Sequence, residues 1–130
     1  MTKVAILGFG TVGSGVAEVL SKNSQGIARR SGGEIQVKYI LDVRDFPDSP
    51  FKDCFVKDFS IIENDPEVEV VVETIGGAKV ALEFTTRALK AGKSVVSSNK
   101  ELVATHGAEL LAIARRRGCL LYTSPSPRDS

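Results

Sequence analysis

Long apolar runs are missing from these 130 residues, and so is any excess of charge of one sign. No stretch approaches the roughly 20 consecutive apolar residues that cross a bilayer, so no membrane partner is expected. Met1-Thr2-Lys3-Val4 passes directly into a strand-like segment without a secretory leader, and the cytoplasm is the expected location. Seventeen basic against sixteen acidic side chains leave a formal charge of +1. That balance argues against nucleic acid or an anionic surface as partner, so any electrostatic function has to be local. Cysteine is scarce too: Cys54 and Cys119 have neither metal-knuckle spacing nor the density of a disulfide scaffold, so reduced thiols and no metal site are expected. What is present, 42% hydrophobic and 25% charged residues, suits one soluble domain with a real core.

Apolar and β-branched runs alternate with helical patterns along the chain. Lys3 to Leu7 predicts a first strand buried on both faces. A helix follows, with Val12, Val16, Val19 and Leu20 at helical spacing, fading through Ile27 to the breaker Ser31-Gly32-Gly33. Gln36 to Val43 predicts a second strand, Asp45 to Asp53 a surface loop, Ser60 to Asn64 a helical turn, and Val68 to Thr74 a third strand. Ala78 to Ala91 predicts a helix with Ala81, Phe84, Ala88 and Leu89 on its inner face and Gly92 at its end. Ser94 to Ser97 is a fourth strand. Leu102 to Arg117 predicts a helix with a break near His106-Gly107, an apolar face through Leu110, Leu111 and Ala114, and Gly118 as its stop. The expected fold class is therefore α/β, a doubly wound parallel sheet of Rossmann type, incomplete at its C-terminal end.

Residues 1–118 form the expected domain. Cys119 to Ser130 resembles a translated sequencing adapter, and is set aside as a non-native tail. Leu120 to Thr123 has the composition to fill the slot of a further strand, and the Pro-rich end is expected to be disordered.

Gly8-Phe9-Gly10-Thr11-Val12-Gly13 is a G-x-G-x-x-G motif lying between a predicted strand and a predicted helix, the context that gives it meaning. Gly8 permits the tight turn, Gly10 lets a pyrophosphate approach the backbone, and Gly13 lets helix and strand pack closely. The helix N-terminus adds unpaired N–H groups and the positive end of a dipole. A nicotinamide dinucleotide is the expected cofactor, NADP slightly ahead of NAD. The end of the second strand usually decides that choice. There Asp42 and Arg44 send opposite signals: Arg44 suits a 2′-phosphate, helped by Lys57 or Lys38, and the two residues equally suit a simple mutual pair.

Gly76-Gly77 after the third strand, with Thr74 before it, and Ser98-Asn99-Lys100 after the fourth lie on the rim where such sheets bind ligands. His106, the only histidine, is read as shaping a helix bend rather than as a base. Arg115-Arg116-Arg117 complements a helix C-terminus and faces water. Cys54, in a loop without a histidine partner, is not read as a nucleophile.

The glycine loop, Val-Arg-Asp at 43–45, Glu-Thr-Ile-Gly-Gly at 73–77 and above all the segment 91–110 around Ser98-Asn99-Lys100 and His106-Gly107 resemble homoserine dehydrogenase, from Met1 to about Gly118. The resemblance implies interconversion of L-aspartate 4-semialdehyde and L-homoserine with NAD or NADP, in threonine, methionine and isoleucine biosynthesis. It also implies a homo-oligomer when the enzyme is whole. Lys100 is then the proton donor in reduction and the acceptor in oxidation, which requires burial or a neighbouring cation to ease loss of its proton. In that family a second lysine and acidic substrate-binding groups come from a later domain. This chain is accordingly expected to hold cofactor without turning over substrate. The alternative is a stand-alone nucleotide sensor in which Lys100 has no chemistry.

Overall fold

The computed structural model describes residues 2–31 and 35–123, with side chains omitted at 22–31 and at Ala78. The chain runs β1 (Thr2–Leu7), α1 (Thr11–Ser31), β2 (Ile35–Leu41), a single 3-10 turn (Lys52–Cys54), β3 (Phe55–Val56), α2 (Phe59–Glu63), β4 (Val68–Glu73), α3 (Ala78–Lys90), β5 (Ser94–Ser97), α4 (Lys100–Arg117) and β6 (Leu121–Thr123). The six described strands form one sheet in the order β3-β2-β1-β4-β5-β6, every neighbouring pair parallel. The chain leaves β1 in one direction toward β2 and β3, then returns to place β4 on the other side. The carboxyl ends of β1 and β4 therefore flank a topological switch point, where open α/β sheets bind ligands.

Alternation along β1 explains its unbroken apolar run. Val4 and Ile6 point toward α1, where they pack with Ala17 and Ile40. Ala5 and Leu7 point to the opposite face, where they join Phe59 and Ile62 of α2, Ala81, Ala88 and Leu89 of α3, and Leu102, Leu110 and Ala114 of α4. A strand buried on both faces has no polar side to alternate with, as parallel sheets require. The doubly wound architecture is thus as expected.

Several details depart from the sequence pattern. On the part of α1 whose side chains are described, the buried positions are Gly13 and Ala17, while Val12 and Val19 are exposed. Close packing of a helix on a strand selects the smallest side chains, and hydrophobicity alone does not report that. Leu111 is likewise exposed beside buried Leu110. The expected break at His106-Gly107 is absent: α4 is continuous from Lys100 to Arg117. Gly107 is buried within it, and a carbon added there would stand 3.5 Å from Val103 Cγ1. Packing has overridden a propensity cost of about 1 kcal/mol. His106 Nδ1 lies 3.5 Å from Glu109 Oε1, an interaction between neighbouring turns of one helix.

The second strand ends at Leu41, earlier than expected, because the chain bends at Val43 and Arg44. The short strand β3 falls beyond the expected 45–53 loop, and two residues carry no readable periodicity. The expected further strand is present as β6, which pairs with β5 through Val95, Val96 and Ser97. Cys119 is buried just before it, its Sγ 3.7 Å from Leu89 O. Gly32-Gly33 and the Pro-rich end at 124–130 lie outside the described residues. Among the described residues no helix is long and apolar enough to cross a membrane.

Candidate functional site

The glycine turn divides its three roles by space. Gly8 has φ +95°, which an L side chain rarely adopts, and a carbon there would meet Thr74 Oγ1 at 3.1 Å. Gly13 lies against the turn so closely that an added carbon would stand 1.9 Å from the Gly8 carbonyl oxygen. Gly10 faces open space, with nothing within 4 Å of an added carbon. The first hydrogen-bonded turn of α1 is Ser14 N–H to Gly10 O at 2.9 Å, so the N–H groups of Thr11, Val12 and Gly13 precede it at the positive end of the helix. That end, with an unobstructed Gly10 beside it, is a seat for a pyrophosphate. Thr74 ties the two sides of the switch point together. Its N–H donates to Leu7 O at 3.0 Å, and its hydroxyl lies 2.7 Å from Leu7 O and 3.1 Å from Gly8 O.

Phe9 anchors the turn through its ring and its backbone. Its ring meets Phe46, Phe51 and Phe55 edge-on, with centroids 4.9 to 6.2 Å apart. Its N–H donates to Asp42 Oδ2 at 2.9 Å. Asp42 also accepts from the Arg44 backbone N–H at 2.9 Å and from the Arg44 guanidinium at 3.1 and 2.9 Å. The guanidinium holds this carboxyl well below the usual carboxylate range. The mutual pair is therefore formed, with Asp42 nearly buried and Arg44 60% exposed over the Phe46 ring. Lys57 stands close by, bonded to Asp45 at 2.8 Å and Val43 O at 3.0 Å. Lys38 does not: its ammonium pairs with Asp65 and Glu67, before the start of β4 and away from the carboxyl ends of the strands, which rules it out as a helper.

A cleft of about 450 Å³ joins these parts, lined by Gly8, Gly10, Asp42, Arg44, Thr74, Gly76 and Val80 among others. A larger depression of about 760 Å³ lies beside α1 and the 45–51 loop. Phe9, Phe46, Pro47, Pro50 and Phe51 make much of its wall, away from Gly8 and Gly10.

On the far side of the switch point, Asn99 caps α4, its Oδ1 accepting from Leu102 N–H at 3.0 Å. Its amide nitrogen donates to Gly77 O at 3.1 Å and lies 3.4 Å from Ile75 O. Asn99 therefore joins the glycine pair to the β5–α4 segment, a link invisible in the sequence. Lys100 opens α4, exposed at the rim beside Ser98, Val103 and Thr123. A cation at the positive end of a helix is a placement that stability does not favour. Ser98 donates to Glu73 O from both its N–H and its hydroxyl, each at 3.2 Å.

Glu73, in the sequence only one letter of the 73–77 motif, is fully buried, and burial pushes its carboxyl up from the usual range. Its signal was a charged residue closing an otherwise valine-rich inner strand. Among the described residues no three His, Cys, Asp or Glu side chains gather as a metal cradle.

A family model described as "Homoserine dehydrogenase, NAD binding domain" matches residues 8–124. The chain belongs to that family. The homoserine dehydrogenase of Pseudomonas aeruginosa is 43% identical over 121 residues, covering 92% of this chain and 28% of the relative. That of Bacillus subtilis is 36% identical over 129 residues, covering 95% and 29%. Crystal structures agree: S. aureus homoserine dehydrogenase at pH 8.5 superposes with a TM-score of 0.86 at 32% identity, over 95% of this chain and 32% of that one. The Thiobacillus denitrificans enzyme gives 0.82 at 35% identity, over 94% and 29%. This chain thus spans less than a third of the length of these relatives, and corresponds to their nucleotide-binding part.

Proposed function

We propose that the chain seats a nicotinamide dinucleotide across the switch point between β1 and β4, as the cofactor half of a homoserine dehydrogenase. The observation that carries this is the glycine turn: Gly13 closed against the Gly8 carbonyl, Gly10 open at the head of α1. The pyrophosphate lies over Gly10, Thr11 and Val12. The adenosine end extends toward Asp42 and Arg44, and the nicotinamide end toward Thr74, Gly76, Gly77, Ser98, Asn99 and Lys100. Arg44 is exposed enough to meet a 2′-phosphate while Asp42 fixes its guanidinium, which favours NADP over NAD.

When bound, the nicotinamide supplies or accepts the hydride exchanged between L-homoserine and L-aspartate 4-semialdehyde. Lys100, exposed in this chain, gives a proton to the oxygen of the reduced carbonyl and takes it back in the oxidative direction once the substrate domain of the whole enzyme has buried it. Asn99 holds the segment that carries Lys100. The remainder of the substrate site comes from sequence that relatives carry beyond this region, so the 130-residue chain binds cofactor and performs no turnover alone. Two unpaired cysteines suit a cytoplasmic, reducing setting.

The test is a hydride-transfer assay on the enzyme assembled with its substrate domain. Lys100→Met should lower kcat by about a hundredfold or more, the usual scale of lost proton transfer, while cofactor affinity is kept. Unchanged kcat removes Lys100 from the chemistry. Reading the native gene past the codon for Gly118 decides whether a substrate domain follows.

A further inference from the structure

Glu73 is the fully buried carboxyl that the proposed reaction does not use. It ends β4, where a valine would continue the run Val70-Val71-Val72, and an unpaired carboxyl in that position is costly. Its two oxygens are committed. Oε1 accepts from Ile75 N–H at 2.5 Å, and Oε2 accepts from the Ser97 hydroxyl at 2.8 Å. Ser97 Oγ in turn accepts from Asn99 N–H at 3.1 Å. Asn99 returns to the first loop through Gly77 O. The bonds close a ring: Glu73 to Ile75, along the chain to Gly77, across to Asn99, and back through Ser97.

We infer that Glu73 is a positioning residue for the nicotinamide end of the cleft. It acts as an internal bracket that fixes the separation of the Ile75–Gly77 turn and the Ser97–Lys100 segment. The inference rests on the proposed cofactor site, since only there do the two segments face one ligand. The bracket needs an acceptor toward Ile75 and a polar partner toward Ser97. It does not need a negative charge, because an amide with its oxygen toward Ile75 and its nitrogen toward Ser97 satisfies the same pair.

The experiment is a calorimetric titration of the whole chain with NADPH and with 2′-phospho-ADP-ribose, which lacks the nicotinamide. Glu73→Leu should weaken NADPH about tenfold, the scale of a lost buried hydrogen-bond partner, and leave 2′-phospho-ADP-ribose within about twofold. Glu73→Gln should restore NADPH to within about threefold of wild type, because the bracket survives. If Glu73→Leu does not fold, Ser97→Ala, which cuts one link, should show the same selective loss at about threefold. Equal loss for both ligands, no loss for either, or a Gln variant as weak as Leu overturns the inference. Wild-type chain that binds neither ligand overturns the cofactor reading as well, so the two failures are told apart.

Discussion

The carbonyl oxygen of Gly8 lies 1.9 Å from where a side-chain carbon on Gly13 would stand. Backbone cannot yield there without opening the junction of β1 and α1. Gly13→Ala should therefore destabilise the chain by about 1–3 kcal/mol or more, as overpacking of a rigid site does. Gly10→Ala meets nothing within 4 Å and should leave stability nearly unchanged. Urea unfolding of the two variants side by side makes the comparison, and equal losses would show that the turn is not divided as described.

Arg44 and Asp42 set a second expectation. Arg44→Ala removes a guanidinium from the rim and should weaken NADPH about tenfold or more, with little effect on NADH, because a charge-assisted contact to the 2′-phosphate is lost. Direct titration with both reduced cofactors reads this out. If the variant loses equal affinity for the two, Arg44 has no part in their discrimination.

Lys93 is a buried ammonium that donates to the carbonyls of Asp65 at 2.6 Å and Val68 at 2.9 Å, tying the start of β5 to the entry of β4. Burial lowers its pKa, so the bonds are made against a desolvation cost. Lys93→Met keeps the stem but removes both bonds, leaving Asp65 O with only the Val68 N–H at 3.2 Å, and should cost about 1–3 kcal/mol. Chemical denaturation of the variant measures it. The site is at the amino ends of β4 and β5, opposite the carboxyl ends that flank the cleft, so cofactor affinity of the folded variant should be unchanged.

Two carboxyls predict opposite slopes of stability with pH. Asp65 is held below the usual range, chiefly by the Lys38 ammonium and then by the Tyr39 hydroxyl. Its contribution is complete above the ordinary aspartate pKa of about 3.9 and is lost as pH falls through the lowered value. Glu73 is raised by burial, so its contribution is complete below the ordinary glutamate pKa of about 4.3 and is lost as pH rises through the raised value. Unfolding free energies measured across pH should show a shallower acid decline in Asp65→Asn and a shallower neutral-side decline in Glu73→Gln. Identical profiles for both variants would contradict the assignment.

The sheet, the glycine turn and the strand limits at Ser94 and Ser97 were legible because each rests on local pattern: buried β-branched runs, breakers and a motif in its strand-to-helix setting. What escaped was set by tertiary contact. The helix runs unbroken through Gly107 because this stretch of α4 is buried, with Leu102, Leu110 and Ala114 joining the core. The ring of Phe9, whose backbone lies in the motif, belongs to a cluster assembled from Phe46, Phe51 and Phe55 across the chain. The bonds from Asn99 to Gly77 and from Ser97 to Glu73 join residues more than 20 positions apart, and no spacing rule reaches them.

The most direct measurement for the whole account is calorimetric titration of NADPH into the wild-type chain and into Gly10→Val. The account predicts saturable binding with one site in the wild type, and binding weakened by more than about tenfold in the variant, whose side chain fills the space reserved for the pyrophosphate while the fold is kept. Absence of binding in the folded wild-type chain, or equal affinity in Gly10→Val, would contradict it.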